Sequence, residues 1–299
     1  MLACIFDVSN LAHRYDYVLQ SLSNDEGKKT GILFGITKLL ISICRNERPE
    51  IISFVFDPML KSKGLDSERP IHYIEQYEAM QEMLDILKIN YVIAEEGYEA
   101  DQMIASFVRL IRTYYGIQNF LEIKIYSNDH DYWQLIDEDL VCVTSGTGNE
   151  SYRIVNRDFI FKEYGVEPYQ LLDLFALTGD KSDNIEGIKG IGPKKAAKLV
   201  QEHGSLIGVL TSFASNGKHE GEWQMAMEGY QKMNLLDCYI PFSNKYPVEC
   251  EHLYEREFLW FENLKNFFQR YQFEKFINMM MEHHLFTGSP SFPKYKMGG

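Results

Sequence analysis

The chain has no apolar run long enough to cross a bilayer; its most apolar stretch, residues 31–44, is broken by Lys38 and is too short. No basic region precedes the first apolar residues, and Asp7 soon interrupts them, so a secretory signal is not expected. Cysteines are few: Cys4, Cys44, Cys142, Cys238 and Cys250, with no C-x-x-C pair. An odd, scattered set points to reduced thiols in a cytoplasmic protein, mostly small core residues, and excludes a disulfide frame or a thiolate zinc site. Basic residues are in deficit as well, 30 against 43 acidic, for a formal net charge of −13. That deficit counts against a nucleic-acid partner, because phosphate binding ordinarily leaves a basic footprint. Internal repeats and low-complexity blocks are missing too. Material for a core is ample: 299 residues at 45% apolar and 24% charged suffice for one large domain or two ordinary ones. The tail, residues 288–299, is rich in Gly, Ser and Pro and is expected to fray.

The first half alternates short apolar runs with helical spacing. Residues 2–8, 51–56, 91–94 and 121–126 read as strands, and residues 140–144 and 152–155 as two more around a Gly/Thr/Asn turn. Between them, Ile32, Ile36, Leu39, Leu40 and Ile43 fall at helical spacing, residues 73–87 read as a helix, and Met103, Phe107 and Leu110 form an apolar stripe. The order β-α-β-α-β predicts an α/β domain over residues 1–160 with a largely parallel sheet. From Arg157 onward the pattern turns helical, so residues 161–299 are expected to form a helical region after a soft boundary near 160.

Acids recur where strands end. Asp7 closes the first strand and Asp57 follows the second; Glu99 and Asp101 open the helix after the third, and Asp129 and Asp131 follow the fourth. In an open parallel sheet the carboxyl ends of the strands line one edge, where sites assemble, so six carboxylates are expected in one cleft. Any one of them is explained equally well as a helix N-cap or dipole partner. Four consecutive strand ends carrying acid are not. Such a crowd of like charge calls for divalent cations; Mg²⁺ and Mn²⁺ favour oxygen ligands and need only one or two carboxylates each. Two ions about 4 Å apart can activate water and stabilise the leaving oxygen of an in-line phosphoryl displacement. They would bring the formal charge from −13 to −9, so part of the acidity belongs to the site.

Residues 179–196 carry the second signal. Gly187, Gly190 and Gly192 form a tight turn before a helix with Ala196, Ala197, Leu199 and Val200 on one side. Backbone N–H groups at such a start bind phosphate, and glycine permits close approach. Lys189, Lys194, Lys195 and Lys198 stand against only Glu202 there, so positive charge is segregated within an acidic chain. A nucleotide P-loop does not fit, since Lys194 is followed by Lys195 and Gly192 by Pro193. A helical hairpin packed for structure alone stays open as the plain alternative.

Together these stretches resemble the 5′-nuclease family of phage flap endonucleases and the 5′-exonuclease domain of bacterial DNA polymerase I. The resemblance rests on Phe6-Asp7-Val8-Ser9-Asn10-Leu11 with Arg14, Thr30-Gly31 with Gly35, and Phe56-Asp57. It continues through Tyr98-Glu99-Ala100-Asp101, Ser127-Asn128-Asp129-His130-Asp131 with Gln134-Leu135, residues 179–196, and Phe267-Phe268 with Tyr271-Gln272-Phe273, nearly the whole chain. It implies a PIN-like (Rossmann-like) domain with two metal sites, then a helix-hairpin-helix (H3TH) module at about residues 179–204 that grips duplex DNA and binds K⁺ through backbone carbonyls. By that likeness Asp7, Asp57, Glu99 and Asp101 are first-site ligands, and Asp129, Asp131, Asp180 and Asp183 belong to the second site. The DNA contacts implied are Lys189, Gly190, Gly192, Lys194, Lys195 and Lys198, with weaker ones from Arg14, Lys61, Lys63 and Arg69.

The chain departs from the family at three places. Gln102 stands where a second aspartate usually follows Glu-Ala-Asp, and Glu186 replaces the proline of the Asn-Ile-Pro-Gly step. After Asp57, only Lys61, Lys63 and Arg69 remain of a longer basic arch. Tyr73 and Tyr77 could stack on an unpaired base, but at i, i+4 they read better as one packed face; His130, between two aspartates, could be a ligand or phosphate contact, but reads better as a solvent-facing residue outside the site. The expected activity is two-metal, structure-specific 5′-3′ hydrolysis of DNA with 5′ ends, flaps or junctions, extending to RNA primers in RNA–DNA hybrids. The alternatives are a catalytically weakened junction-binding protein and a PIN-type ribonuclease. A monomer is expected, with replication proteins as further partners.

Overall fold

The structure, a computed structural model, describes residues 1–58, 71–95, 97–115, 121–145, 152–181, 184–216, 220–240, 253 and 261–283. Strand β1 (Leu2–Asp7) runs into α1 (Val8–Val18), followed by α2 (Gly31–Asn46), β2 (Ile51–Phe56), α3 (Ile71–Leu87), β3 (Asn90–Ile93), α4 (Ala100–Tyr115) and β4 (Glu122–Tyr126). A 3₁₀ turn over Asp131–Leu135 leads to β5 (Leu140–Ser145) and β6 (Tyr152–Val155). The helical half comprises α5 (Arg157–Tyr164), α6 (Leu171–Thr178), the small pair β7 (Gly179–Asp180) and β8 (Ile185–Glu186), α7 (Pro193–His203), α8 (Leu206–Ser215) and α9 (Trp223–Met233). Helices α10 (Phe261–Arg270) and α11 (Glu274–His283) complete it.

The main sheet has the order β3-β2-β1-β4-β5-β6, all parallel except β6, which pairs antiparallel with β5. The expected α/β sheet is therefore present, and its order reverses between β1 and β4. Ligands of open parallel sheets bind outside the carboxyl ends of the strands at such a switch point. Asp7 ends β1 and Asp129 follows β4, so the two acids flank the reversal.

The central strands β1 and β2 are buried on both faces, as parallel strands between helices must be, and successive side chains alternate between two cores. Ala3 and Ile5 point into one, with α4 and much of the helical half; Cys4 and Phe6 point into the other, with α1, α2 and α3. Phe6 stacks on Phe54 at 4.4 Å and on Tyr126 at 4.8 Å between ring centres. Ile160, Val166 and Leu171 join the same core as Ile5, so packing runs without a break through the expected boundary near 160. Leu264, Phe267, Phe268 and Phe276, from α10 and α11, instead pack with α2 and α3 on the opposite face. The helices after residue 160 thus cover both sides of the sheet. Cys4, Cys44 and Cys142 are buried free thiols, and Cys238 is a half-buried one. No helix of the described residues is long and apolar enough to cross a membrane. The tail at 288–299, the turn between β5 and β6, and Cys250 lie outside the described residues.

Candidate metal centre

Asp7 shows how local and long-range roles combine. As the N-cap of α1 it accepts the Asn10 amide on Oδ1 at 3.1 Å. Its other oxygen accepts the Ser127 hydroxyl at 2.9 Å and the Tyr132 hydroxyl at 3.1 Å, from the far side of the β1/β4 junction. Asp57 reaches across to accept the Ala100 amide at 2.8 Å, capping α4 from a different strand. Asp129 accepts the Asp131 amide at 3.0 Å and so sets the 3₁₀ turn that carries Asp131 and Tyr132. Asn10 accepts the Asn128 amide at 2.8 Å, tying the ends of β1 and β4 together. The caps are real and serve the cleft as well, because each fixes an acid at a strand end.

Asp7, Asp57, Glu99, Asp101, Asp129 and Asp131 all line one cleft of about 220 Å³. Among its described lining residues there is no lysine or arginine, and the one imidazole is that of His13. Burial pushes the Asp7 carboxyl up to about 7, against the hydrogen bonds of Asn10 and Ser127, with the charges of Asp57 and Asp129 adding to the rise. Asp101 is pushed up to about 6, first by burial; the Gln102 amide opposes this, while Glu99, Asp129 and Asp57 raise it. The donor set suits hard divalent cations: oxygen ligands, crowded, and with two members whose carboxyls burial and neighbouring acids push upward.

Asp180 lies beyond the rim of this cleft, buried at the end of β7, with its Oδ2 2.6 Å from His130 Nε2. His130 also has Asp129 and Asp131 within 3.9 Å. The solvent-facing reading of His130 therefore fails: its side chain is 30% exposed and joins the Asp129–Asp131 pair to Asp180. Burial lowers its pKa, but Asp180, Asp131 and Asp129 together hold it above the ordinary imidazole value. Asp183 lies outside the described residues. Gln102 turns its side-chain oxygen back to the Glu99 amide at 3.2 Å, so the residue that replaces an acid caps the start of α4.

A wider cavity of about 670 Å³ adjoins His130 and Asp180 and runs to Lys189 and Pro193, joining the acids to the glycine-rich turn. Gly179 and Gly187 press backbone to backbone there: a Cβ on Gly187 would lie 2.1 Å from the Thr178 carbonyl carbon, so glycine is required. Gly190 has φ +79°, while Gly192 is extended with open space where a Cβ would go. Lys189, Gly190, Gly192, Lys194, Lys195 and Lys198 are all exposed. Lys195 Nζ donates to the Gly190 carbonyl at 3.2 Å, Lys198 lies 3.6 Å from Glu202, and Glu222 accepts the Lys189 amide at 3.1 Å.

The weaker DNA-contact candidates divide. Arg14 lies over the rings of Tyr15 and Tyr152, at 5.4 and 5.2 Å, and does not line the acid cleft. Lys61, Lys63 and Arg69 lie outside the described residues. Tyr73 and Tyr77 are 5% and 4% exposed, packed with Phe56 in the core rather than presented to a base. Ser127 and Tyr132 were not legible as parts of the site, and for His130 the sequence alone favours a solvent-facing residue over a ligand. Ser127 and His130 sit inside the motif but carry no distinguishing pattern, and the Tyr132 contact with Asp7 spans 125 residues.

Residues 2–165 match a family model described as the 5′-3′ exonuclease N-terminal resolvase-like domain, and residues 166–240 match the C-terminal SAM fold of the same family. A 5′-3′ exonuclease from Aquifex aeolicus is 31% identical over 222 residues, 70% of this chain and 72% of its own length. DNA polymerase I of Deinococcus radiodurans is 35% identical over 249 residues, 79% of this chain, but the chain spans only 25% of that polymerase. Among solved structures, T5 5′-exonuclease with bound zinc is 18% identical with a TM-score of 0.60, covering 79% of this chain and 90% of that one. The catalytic core of Rad2 with DNA substrate is 14% identical with a TM-score of 0.57, covering 93% and 91%. At such identities the structures show the fold, a mostly parallel PIN-like sheet followed by a helical module.

Proposed function

The chain belongs to the 5′-3′ exonuclease family, whose members are metal-dependent nucleases, and on that premise we propose that its carboxylate cleft cuts DNA near 5′ ends, flaps or junctions by two-metal hydrolysis. The observation that carries this reading is the convergence of Asp7, Asp57, Glu99, Asp101, Asp129 and Asp131 on one cleft at the switch point of the sheet. Asp7, Asp57, Glu99 and Asp101 would hold one divalent cation, and Asp129, Asp131, Asp180 and Asp183 the second. Bound there, Mg²⁺ or Mn²⁺ supplies Lewis acidity that lowers the pKa of water and offsets charge on the scissile phosphate. Ser127 and Tyr132 fix the Asp7 carboxylate, Ala100 N–H fixes Asp57, and Asn10 holds the two strand ends in register. The exposed lysines from Lys189 to Lys198 hold the duplex by its phosphates, and Gly190 and Gly192 let the backbone come close. In-line attack of water leaves a 5′-phosphate and a 3′-hydroxyl.

Within this reading, residues 1–160 carry the carboxylate cleft, Asp180 and Asp183 complete its second cation position, and the hairpin at about residues 179–204 forms the grip, with K⁺ on its carbonyls. The substrates extend to RNA–DNA hybrids, replication proteins recruit the chain, and it acts as a monomer in the cytoplasm, where its free thiols persist. Asp57→Ala and Asp129→Ala test the catalytic part. Each should lower single-turnover cleavage by more than about 100-fold, beyond the roughly 10–100-fold that loss of an outer partner causes, with an unchanged circular dichroism spectrum. Undiminished cutting by both would end the proposal. Gln102, engaged with the Glu99 amide, favours a second reading: a junction-binding protein with weakened hydrolysis. That reading predicts DNA binding without products at enzyme excess, and matched RNA substrates separate both from a ribonuclease.

A further inference from the structure

The second cation position has an imidazole beside its acids. His130 arrives on the turn after β4 and Asp180 on β7, which are distant in sequence, and Nε2 and Oδ2 lie 2.6 Å apart. His130 Nε2 is also 3.9 Å from Asp131 Oδ1, and one ligand atom each from Asp129, His130 and Asp131 fall within 4.8 Å of one another. Neighbouring donors about 2.1 Å from a common ion stand about 3 Å apart, and opposed donors about 4 Å apart. His130 and Asp180 match neighbouring positions after opening by about 0.4 Å, and the His130–Asp131 distance falls between neighbouring and opposed. The ring is held edge-on against Phe175 at 5.1 Å and Trp133 at 6.1 Å, which sets its orientation toward the acids.

We propose that His130 is itself a ligand of the second cation in this chain, and that its imidazole biases that position toward Mn²⁺ over Mg²⁺. The proposal rests on the two-cation reading above and specifies the metal preference of one position. Both ions take oxygen donors, but Mg²⁺ gives up its waters reluctantly, whereas Mn²⁺, a first-row transition ion, accepts an imidazole nitrogen more readily in place of one. The competing arrangement is an outer role, in which the imidazole donates to Asp180 and only orients that carboxylate.

The test uses the full chain without DNA. Mn²⁺ is titrated under electron paramagnetic resonance, Mg²⁺ competition gives the preference, and electron spin echo modulation reads ¹⁴N coupling to bound Mn²⁺. Wild type should bind two Mn²⁺ and show imidazole ¹⁴N modulation. His130→Gln should lose the modulation and lower the Mn²⁺-over-Mg²⁺ preference by about 10-fold, with the circular dichroism spectrum unchanged. His13→Gln, the other imidazole lining the acid cleft, should keep the modulation. Two bound Mn²⁺ without ¹⁴N modulation in wild type would overturn the proposal and leave the two-cation reading standing. So would modulation that survives His130→Gln or disappears in His13→Gln. If wild type bound no Mn²⁺, the two-cation reading would fall and this proposal with it.

Discussion

At the scale of single residues, two acids of the site, Asp7 and Asp101, are buried at a cost that the proposed cations would offset. Asp7 is 5% exposed with its carboxyl pushed from 3.8 to about 7, and Asp101 is pushed from 3.8 to about 6. An acid whose folded pKa is raised contributes stability that is complete below its unfolded value and is lost as pH rises through its folded one. The metal-free protein should therefore lose stability from these two acids between about pH 4 and pH 7, and a bound divalent cation should restore it. Mg²⁺ is expected to raise the Tm more at pH 8 than at pH 5 in thermal melts. Asp7→Asn should raise the metal-free Tm at pH 8 and shrink the Mg²⁺ increment, the trade of stability for function that charged sites make. A lower metal-free Tm in Asp7→Asn would mean that the hydrogen bonds from Asn10, Ser127 and Tyr132 outweigh the burial of charge.

At the scale of elements, the glycine-rich turn lets packing be tested apart from the proposed recognition, because Gly187 is packed tightly and Gly192 is not. Gly187→Ala drives a Cβ into the Thr178 backbone and should cost about 1–3 kcal/mol of stability along with duplex affinity. Gly192 has ordinary extended backbone and open space at the Cβ position, so Gly192→Ala should leave the Tm unchanged and lower only duplex affinity. Equal affinity in a fluorescence anisotropy titration would remove Gly192 from the interface. Lys194→Ala and Lys195→Ala should each weaken binding about evenly across sequences and reduce the salt slope by about one. Asp173, 8% exposed, accepts the Leu206 amide at 2.8 Å at the start of α8; Asp173→Ala should cost about 1–3 kcal/mol in urea unfolding.

Element identity was legible because each strand is a short apolar run closed by an acid or a turn, as in β2, which the pattern placed at its observed limits. Six of the carboxylates were legible for the same reason, since each follows or ends a strand or opens the next helix, whereas Asp180 and Asp183 came only from the family resemblance. What stayed hidden depends on contacts that no local pattern encodes. Nothing around His130 announces Asp180, fifty residues away, and burial of Tyr73 and Tyr77 depends on Phe56 from a different strand. Helices α10 and α11 show a helical period, but the period does not say which face of the sheet receives them.

At the scale of the whole molecule, the fold accounts for an acidic protein that acts on an acidic polymer. A parallel sheet was legible, yet its order was not, and the reversal between β1 and β4 is what gathers acids from separate strand ends. The net charge of −13 is spread unevenly: acids crowd the cleft, while exposed lysines gather at the start of α7. On the proposed reading, cations in the cleft would make the path from its acids past His130 to Lys189 a surface for a phosphate backbone. The most direct test is single-turnover cleavage of end-labelled flap, nicked and 5′-overhang DNA, with Mg²⁺ or Mn²⁺ against EDTA. The account predicts products bearing a 5′-phosphate in either metal and none in EDTA. Retained DNA binding with no product in either metal would contradict it.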